Sequence, residues 1–277
     1  MALFTGKKGL ILGVANNFSI AWHIARHIMD QEGVCGFSHL PDKPDDERKK
    51  MRMRVAKCTD TYPDNTKFLM PLDVQKDEDI AAIMAKAKEQ FGTIDFLLHS
   101  IAFASLEDLE KDTIACSRAG FKLAMEISAY SLLAVCNAAR GIFSPKAAVL
   151  TLTYFGGEKI VPGYNVMGVC KAALDSCMKY AAFDLGPQGV RVNALSAGPL
   201  KTLASSAVGA KSMEPLYTAV SPAGKAVTHE DVGRIGAFLL SDMSDGITAE
   251  IMHVDYGYNA MGSPGRMLDR LEAAKNS

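Results

Sequence analysis

The sequence predicts an α/β fold built on one doubly wound, parallel sheet of about seven strands, with helices on both faces. Short apolar runs alternate along the chain with longer segments of helical periodicity. The runs are apolar throughout rather than at every second residue, which is typical of strands buried on both faces of a parallel sheet. Right-handed crossovers between such strands make the sheet doubly wound. Because no linker, repeat or low-complexity tract divides the sequence, we expect one domain over 1–277.

Seven apolar runs are predicted to be strands, and five periodic segments to be helices. The strands are expected over residues 8–13, 34–38, 67–72, 94–101, 147–153, 190–195 and 250–255, and the helices over 19–31, 80–91, 113–140, 164–185 and 230–240. The charged segment 41–54 is predicted to be an exposed connection. The segment 199–222 is rich in small residues and weakly periodic, and we expect it to be a binding loop.

Composition limits the possible partners. The 30 basic and 31 acidic side chains give a formal net charge of −1, which does not favour nucleic acid or an anionic membrane surface as a partner. The N-terminus lacks the pattern of a secretory signal, and no apolar run of about 18 residues suggests a membrane span. We therefore expect a cytoplasmic protein that acts on a small molecule or on another protein.

Neither cysteine nor histidine spacing indicates a metal site. The six cysteines are scattered without a CxxC pair, as expected for free thiols in a reducing compartment. His23 and His27 are four residues apart on a predicted helix. However, Ile24 stands where a metalloprotease helix carries Glu, so we expect two helix-surface histidines and no bound metal.

Ligands of doubly wound sheets bind at the carboxyl ends of the strands. After the first predicted strand come Gly13, the small Ala15, and Ser19 at the start of a helix. Backbone N–H groups and a helix N-terminus in this position can hold a pyrophosphate. The alternative is an ordinary strand–helix turn capped by Ser19.

Two further strand ends carry candidate binding residues. The third strand ends at Asp73, which could bond an adenine edge or could simply cap the next helix. The fourth strand runs into His99-Ser-Ile-Ala-Phe-Ala104, whose small residues would let a ribose or nicotinamide approach the backbone.

Tyr164 and Lys171 carry the strongest chemical signal. Seven residues apart, they lie on one face of the predicted helix. A nearby ammonium should favour phenolate and lower the tyrosine pKa, and it can also bind ribose hydroxyls. Such a tyrosine can donate a proton or stabilise an oxyanion. The spacing alone is common, but here the pair opens the helix after the fifth strand, and Asn193-Ala-Leu-Ser-Ala-Gly-Pro199 ends the sixth.

These motifs resemble the short-chain dehydrogenase/reductase family, which has a Rossmann fold. Further motifs are similar to its divergent branch, the enoyl-acyl-carrier-protein reductases of bacterial type II fatty acid synthesis. The resemblance covers about residues 3–260. It rests on Gly13-x5-Ser-Ile-Ala21, His99-Ser-Ile-Ala-Phe-Ala104, Tyr154 ten residues before Tyr164, Tyr164-Asn-Val-Met-Gly168, and Leu200-Lys-Thr-Leu-Ala204. One departure is Tyr256 where the family commonly has Gly in Val-Asp-Gly-Gly.

The resemblance implies an oxidoreductase that reduces trans-2-enoyl thioesters on acyl carrier protein, and a homotetramer. NADH is the expected cofactor. The second strand is followed by Ser38-His-Leu-Pro41, which offers no cluster of cations for a 2′-phosphate. Lys43 is the lone basic candidate nearby, so NADPH is not excluded.

The resemblance also implies roles for individual residues. Tyr164 would stabilise the developing enolate and Lys171 would hold the nicotinamide ribose. Tyr154 would shape the acyl pocket or assist at the carbonyl, with simple packing as the alternative. Leu203, Met213 and Leu216 could line an acyl chain or pack on the core. The expected cofactor-binding residues are Gly13, Ala15, Ser19, Ile20, Leu40, Asp73, Val74, Ser100, Ile101, Lys171, Leu200, Thr202 and Ala204, and the expected substrate-binding residues are Ala104, Tyr154, Met167 and Leu203.

Two other functions fit the same fold. A ketone or 3-ketoacyl thioester reductase usually needs a serine near the tyrosine to bind the carbonyl, and Thr151, thirteen residues before Tyr164, could serve. The Tyr154 position and the Ser100–Ala104 segment argue against that reading. A non-catalytic nucleotide-binding regulator is the other alternative, and retention of both Tyr164 and Lys171 argues against it.

Overall fold

The predicted doubly wound sheet is confirmed. The computed structural model describes residues 2–200, 213–265 and 267–268, and the predicted site residues Thr202, Leu203 and Ala204 lie outside them. One seven-stranded sheet has the order β3-β2-β1-β4-β5-β6-β7, with every pairing parallel. Its strands are β1 Lys8–Leu12, β2 Val34–His39, β3 Thr66–Pro71, β4 Ile94–His99, β5 Phe143–Thr153, β6 Arg191–Ala197 and β7 Ile251–Val254. Each predicted strand is present, with its ends displaced by a few residues at most.

Helices cover both faces of the sheet. They are α1 Ile20–Met29, α2 Lys50–Thr59, α3 Asp77–Phe91, α4 Leu106–Leu109, α5 Arg118–Met125, α6 Ser131–Ala139, α7 Asn165–Leu185, α8 Met213–Val220 and α9 His229–Leu240. Alternate strand residues supply two cores. Leu10 and Leu97 pack with α3, α6 and α7 on one face, and Ile11 and Phe96 pack with α1, α2 and α9 on the other. The strands are apolar at every position because helices bury the side chains on both faces of the sheet.

Two predicted loops contain helices. The charged segment 41–54 runs into α2, whose cationic side chains face outward while Val55, Ala56 and Cys58 are buried. Its weak apolar periodicity explains why the sequence did not predict it. The predicted loop 199–222 ends in α8, which begins at Met213.

The predicted long helix 113–140 is broken into shorter pieces. A π-helical turn, Glu126–Tyr130, separates α5 from α6.

Among the described residues, the stretch Arg118–Ala139 is long and apolar enough to cross a membrane by length and composition alone, contrary to our expectation that no segment qualifies. Leu132 and Val135 are fully buried in the core, and α6 contacts α3 and α7. The inner side of α6 therefore belongs to the core, although only 39% of the apolar window in this stretch is buried.

The first and fourth strands meet at Gly13. Gly13 has φ +98°, and a Cβ added there would lie 2.0 Å from the carbonyl oxygen of Ser100. Ser100 N–H donates to Leu12 O at 2.9 Å, and Gly13 N–H donates to Ser38 Oγ at 3.2 Å. Connections leave β1 and β4 in opposite directions along the sheet, so this is the topological switch point where such folds bind ligands.

Gly13→Ala should lower the free energy of unfolding by about 3 kcal/mol or more, because it adds a steric clash to the strain of positive φ. Gly6→Ala is the matched control. Gly6 has φ +74° with nothing within 4 Å of an added Cβ, so it should cost only about 1–2 kcal/mol. Chemical denaturation measures both. Equal losses for the two variants would contradict the proposed clash at Gly13.

Candidate functional site

The turn after β1 is organised by Ser19. Its Oγ accepts hydrogen bonds from the N–H groups of Ala15 and Asn16 at 3.0 and 3.1 Å. Ser19 occupies the N-cap position of α1, but its side chain forms no capping bond with the helix, so the alternative of an ordinary turn capped by the Ser19 hydroxyl does not hold. The first N–H groups of α1, beginning at Ile20, therefore keep the free donors of a helix N-terminus. They can bind an anion at this edge.

Two histidines brace the same turn from outside. His23 Nε2 lies 3.1 Å from Asn17 O, and His229 Nε2 lies 3.0 Å from Phe18 O. The two rings are 4.7 Å apart between centroids. His27 pairs instead with Glu230 at 3.1 Å. Within the described part of the chain, no three His, Cys, Asp or Glu side chains form a group that could hold a metal ion.

The other predicted cofactor-binding residues also lie near the carboxyl edge of the sheet. Some have side chains that could contact a ligand, and others are buried. Leu40 is 62% exposed at the end of β2. Asp73 Oδ1 accepts from Gln75 N–H at 3.1 Å, and Lys76, not Asp73, takes the N-cap position of α3. Val74 and Leu200 are buried in the two cores, so they can offer a ligand only their backbone.

A buried histidine connects the ends of β4 and β5. His99 Nδ1 lies 3.0 Å from Thr151 Oγ1, and His99 Nε2 lies 2.9 Å from Ser131 Oγ. Ser131 donates its own hydrogen to Ile127 O at 2.6 Å, so it accepts from Nε2–H and leaves Nδ1 to accept from Thr151. Burial and the charge of Lys171 lower the pKa of His99 to about 3. His99 is therefore a neutral residue that links β4 to β5 and α6. This role could not be predicted from the sequence, because its partners lie on distant elements.

The π-helical turn places a second hydroxyl beside the segment after β4. Ser128 Oγ accepts from Phe103 N–H at 2.9 Å and donates to Phe103 O at 3.0 Å. Ala104, Met167 and Tyr164 share a small apolar cluster with Leu109. Three predicted substrate and catalytic residues are thus brought together. π-helical turns are frequent at functional sites, and this one is bonded through Ser128 to the segment that carries Ala104.

Tyr164 lies beside the second predicted tyrosine. The rings of Tyr154 and Tyr164 are 4.7 Å apart between centroids with an interplanar angle of 65°, an edge-on contact. The Tyr154 hydroxyl lies 2.6 Å from the Tyr217 hydroxyl on α8. Burial, with a smaller effect from Tyr154, raises the pKa of Tyr164. The expectation that Lys171 lowers this pKa is therefore wrong for the protein alone, because desolvation of the phenolate dominates.

Lys171 of α7 is a buried cation whose ammonium reaches the end of β5. Only 6% of the residue is exposed, and its Nζ donates to Leu152 O at 2.7 Å. Burial lowers the pKa of Lys171 to about 8, opposed by the charge of Asp175. That carboxylate is itself buried, which raises its own pKa. Leu152 O is the one hydrogen-bond partner of the ammonium within the residues that the structure describes. An ammonium has three donors, so this group can also bind a hydroxyl of a ligand.

The start of α7 is held by a strained asparagine. Asn165 has φ +43°, in the left-handed region that asparagine tolerates better than most residues. Its Nδ2 donates to Leu109 O at 2.7 Å and to Lys111 O at 2.8 Å. These bonds fix the backbone next to Tyr164. The sequence offered no signal for this role, since it depends on carbonyls more than fifty residues away.

Tyr256, which stands where the family commonly has glycine, is held by a side-chain hydrogen bond. Tyr256 has φ +54°, a conformation that favours glycine. Its hydroxyl donates to Asp231 Oδ2 at 3.2 Å. This bond offsets part of the strain that a non-glycine residue incurs in the left-handed region.

Comparisons with known proteins identify the family of the chain. The family described as "Enoyl-(Acyl carrier protein) reductase" matches residues 13–259. The chain is 42% identical over 263 residues to the enoyl-[acyl-carrier-protein] reductase [NADH] of Nostoc sp., covering 95% of this chain and 100% of that protein.

Two solved enoyl-acyl-carrier-protein reductases have the same fold. The enzyme of Anaplasma phagocytophilum, solved with NAD, is 38% identical, with a TM-score of 0.87 and coverage of 95% of this chain and 97% of that one. The enzyme of Bacillus cereus, solved with NADP+ and indole naphthyridinone, is 40% identical, with a TM-score of 0.90 and coverage of 95% and 100%. On sequence and fold together, this chain belongs to the enoyl-acyl-carrier-protein reductase family.

Proposed function

We propose that this protein is an NADH-dependent enoyl-acyl-carrier-protein reductase that saturates trans-2-enoyl thioesters in type II fatty acid synthesis. The observation that carries the proposal is the contact between Tyr154 and Tyr164 at the carboxyl edge of the sheet, with the buried Lys171 reaching Leu152 O, two residues before Tyr154. Two phenols and one cation at the switch point suit a reaction in which negative charge develops on a carbonyl oxygen.

The residues at this edge fit a dinucleotide. The start of α1 at Ile20 would hold the pyrophosphate, and Lys171 would hold the nicotinamide ribose with the donors that Leu152 leaves free. Ser100 and Ile101, beside Gly13, would line the path between them. When bound, NADH supplies the hydride that is added to the β-carbon of the enoyl thioester.

The raised pKa of Tyr164 suits the role of donor. A phenol that stays protonated at neutral pH can donate a hydrogen bond to the thioester oxygen as charge develops there. Lys171 adds positive potential at the same place. Tyr154 shapes the acyl pocket or assists at the carbonyl, together with Ala104, Met167 and Leu203. The α-carbon then takes its proton from solvent or from a relay.

The remaining assignments extend this proposal. The segment at about 199–222 of the single domain would form the substrate-binding loop, with Thr202 and Ala204 contacting the cofactor. The enoyl thioester would arrive on acyl carrier protein in the cytoplasm. We also propose a homotetramer. Tyr180 and Phe183 support self-association, because these aromatic side chains on α7 are 72% and 77% exposed.

The structure argues against the ketone-reducing alternative. Thr151, the one hydroxyl that could replace the carbonyl-binding serine of that chemistry, is 0% exposed and hydrogen-bonded to His99. It therefore cannot reach a substrate without breaking a buried network.

A spectrophotometric assay with crotonyl thioester and with acetoacetyl thioester tests the proposed function. Oxidation of NADH should follow addition of the crotonyl compound and be negligible with the acetoacetyl compound. NADPH should give a lower kcat/KM than NADH at matched salt, because the exposed residue at the end of β2 is the apolar Leu40 and the His39 side chain is buried away from a 2′-phosphate. Preferential reduction of acetoacetyl thioester would assign the protein to the alternative. A kcat/KM for NADPH equal to or above that for NADH would refute the cofactor assignment.

Tyr164→Phe should lower kcat by roughly 10²–10³ with crotonyl thioester, the usual loss when one oxyanion donor is removed. NADH affinity should not change, because the ring and its contact with Tyr154 remain. Tyr130→Phe, at a tyrosine that is 55% exposed and has no role in the proposed chemistry or self-association, is the control and should behave as wild type. Turnover of Tyr164→Phe near the wild-type rate would exclude Tyr164 as the donor.

Lys171→Ala should raise the Kd for NADH about tenfold or more, because it removes a charged hydrogen bond to the ribose. The pKa near 8 adds a second signature. Lys171 is protonated below that value and loses its charge above it, so wild-type Kd should rise between about pH 8 and 9. Lys171→Ala should show no such rise. Fluorescence titration measures both, with exposed Lys179→Ala as the control. Unchanged affinity in Lys171→Ala would show that this lysine does not contact the cofactor.

A further inference from the structure

Tyr217 of α8 is hydrogen-bonded to one of the two site tyrosines. The Tyr217 and Tyr154 hydroxyl oxygens are 2.6 Å apart, a short O–H···O distance. Tyr217 is 5% exposed, so this bond forms away from bulk water. The relationship could not be predicted from the sequence, because the two tyrosines are 63 residues apart and belong to different elements.

The ring of Tyr217 is fixed independently of its hydroxyl. It stacks on Tyr258 at 3.7 Å between centroids with an interplanar angle of 14°. Tyr258 in turn meets Phe155, the neighbour of Tyr154, edge-on at 5.7 Å and 85°. The ring of Tyr217 therefore has little freedom to turn its hydroxyl away from Tyr154.

We propose that Tyr217 is a positioning residue: through the hydroxyl–hydroxyl bond it holds the Tyr154 side chain against Tyr164 and couples α8 to the tyrosine pair. This inference rests on the proposed function in so far as Tyr154 acts on the enoyl thioester. It adds a residue on α8 to the groups that determine where the thioester meets Tyr164.

The energetics favour a positioning role over simple packing. Tyr154 is half-buried, and burial raises the pKa of both phenols, so each remains a neutral hydroxyl that needs a partner. Tyr154 also contacts Tyr164 through its ring. A rotation of Tyr154 would break the hydrogen bond and the ring contact together, so the bond with Tyr217 selects one orientation of Tyr154.

A double-mutant cycle separates positioning from packing. Tyr217→Phe keeps the stacked ring and removes the hydroxyl, and it should lower kcat with crotonyl thioester about fivefold to tenfold without changing the KM for NADH. In a Tyr154→Phe background the same substitution should change kcat by less than about twofold, because the partner hydroxyl is already absent.

Tyr258→Phe is the matched control. It also keeps a stacked ring, and its hydroxyl makes no hydrogen bond among the described residues, so kcat should stay at the wild-type value. An equal loss of kcat from Tyr217→Phe in both backgrounds would overturn the proposal, since it would show that the hydroxyl does not act through Tyr154. Wild-type kcat for the single variant Tyr217→Phe would overturn it as well.

Hydrogen exchange tests the coupling without any turnover. Tyr217→Phe and Tyr154→Phe should both speed exchange of the amides of α8 by the same factor, and Tyr258→Phe should not. Unchanged exchange in Tyr154→Phe would overturn the coupling of α8 to the tyrosine pair. Failure of wild-type protein to reduce crotonyl thioester would instead refute the proposed function, and the exchange result would still decide the coupling.

Discussion

The contact between Gly13 and the carbonyl of Ser100 is the constraint on which the rest of the site depends. It requires a residue without a Cβ, in a left-handed conformation, where β1 ends against β4. Because the two strand ends touch, the turn organised by Ser19 and the segment from Ser100 to Ala104 form one continuous edge. Ser38 joins the end of β2 to the same edge through Gly13 N–H. A dinucleotide lying across the switch point would meet backbone from three strands at once.

The chemistry at this edge depends on which groups are kept neutral and which stay charged. Burial keeps His99 neutral and Tyr164 protonated, and it lowers the pKa of Lys171 only to about 8, so the ammonium is still mostly charged at neutral pH. Among the described residues the site therefore offers the Lys171 ammonium and phenol donors, with no phenolate at Tyr164. The Thr151 hydroxyl is bonded to His99 in the interior, so it is not available to bind the carbonyl of a ketone substrate. The phenol beside Tyr164 is Tyr154 instead, and that arrangement favours stabilisation of an enolate oxygen.

The sheet was predictable because its signal is local: strands buried on both faces are apolar runs, and all seven were found from them. The place of Tyr164 and Lys171 on one helix was predictable for the same reason, since the spacing is local, while their roles stay predictions. Helix α2 was not predicted because the exposed cationic residues between its few buried residues, such as Val55 and Cys58, leave no clear apolar period. The direction of the Tyr164 pKa was wrong because desolvation depends on tertiary burial. Tyr217, Asn165 and His99 act through partners that are distant in sequence, and spacing cannot reveal such pairs.

Isotope transfer tests the assigned chemistry most directly. Crotonyl thioester should be reduced in ordinary water with NADH that carries deuterium at both C4 positions, and the butyryl product analysed by mass spectrometry and NMR. If this edge of the sheet holds the dihydronicotinamide beside Tyr164, the product carries one deuterium, at the β-carbon, and the α-carbon takes its hydrogen from solvent. Deuterium at the α-carbon, or a reduced product without deuterium, would contradict hydride transfer to an enoyl thioester stabilised at its oxygen by Tyr164.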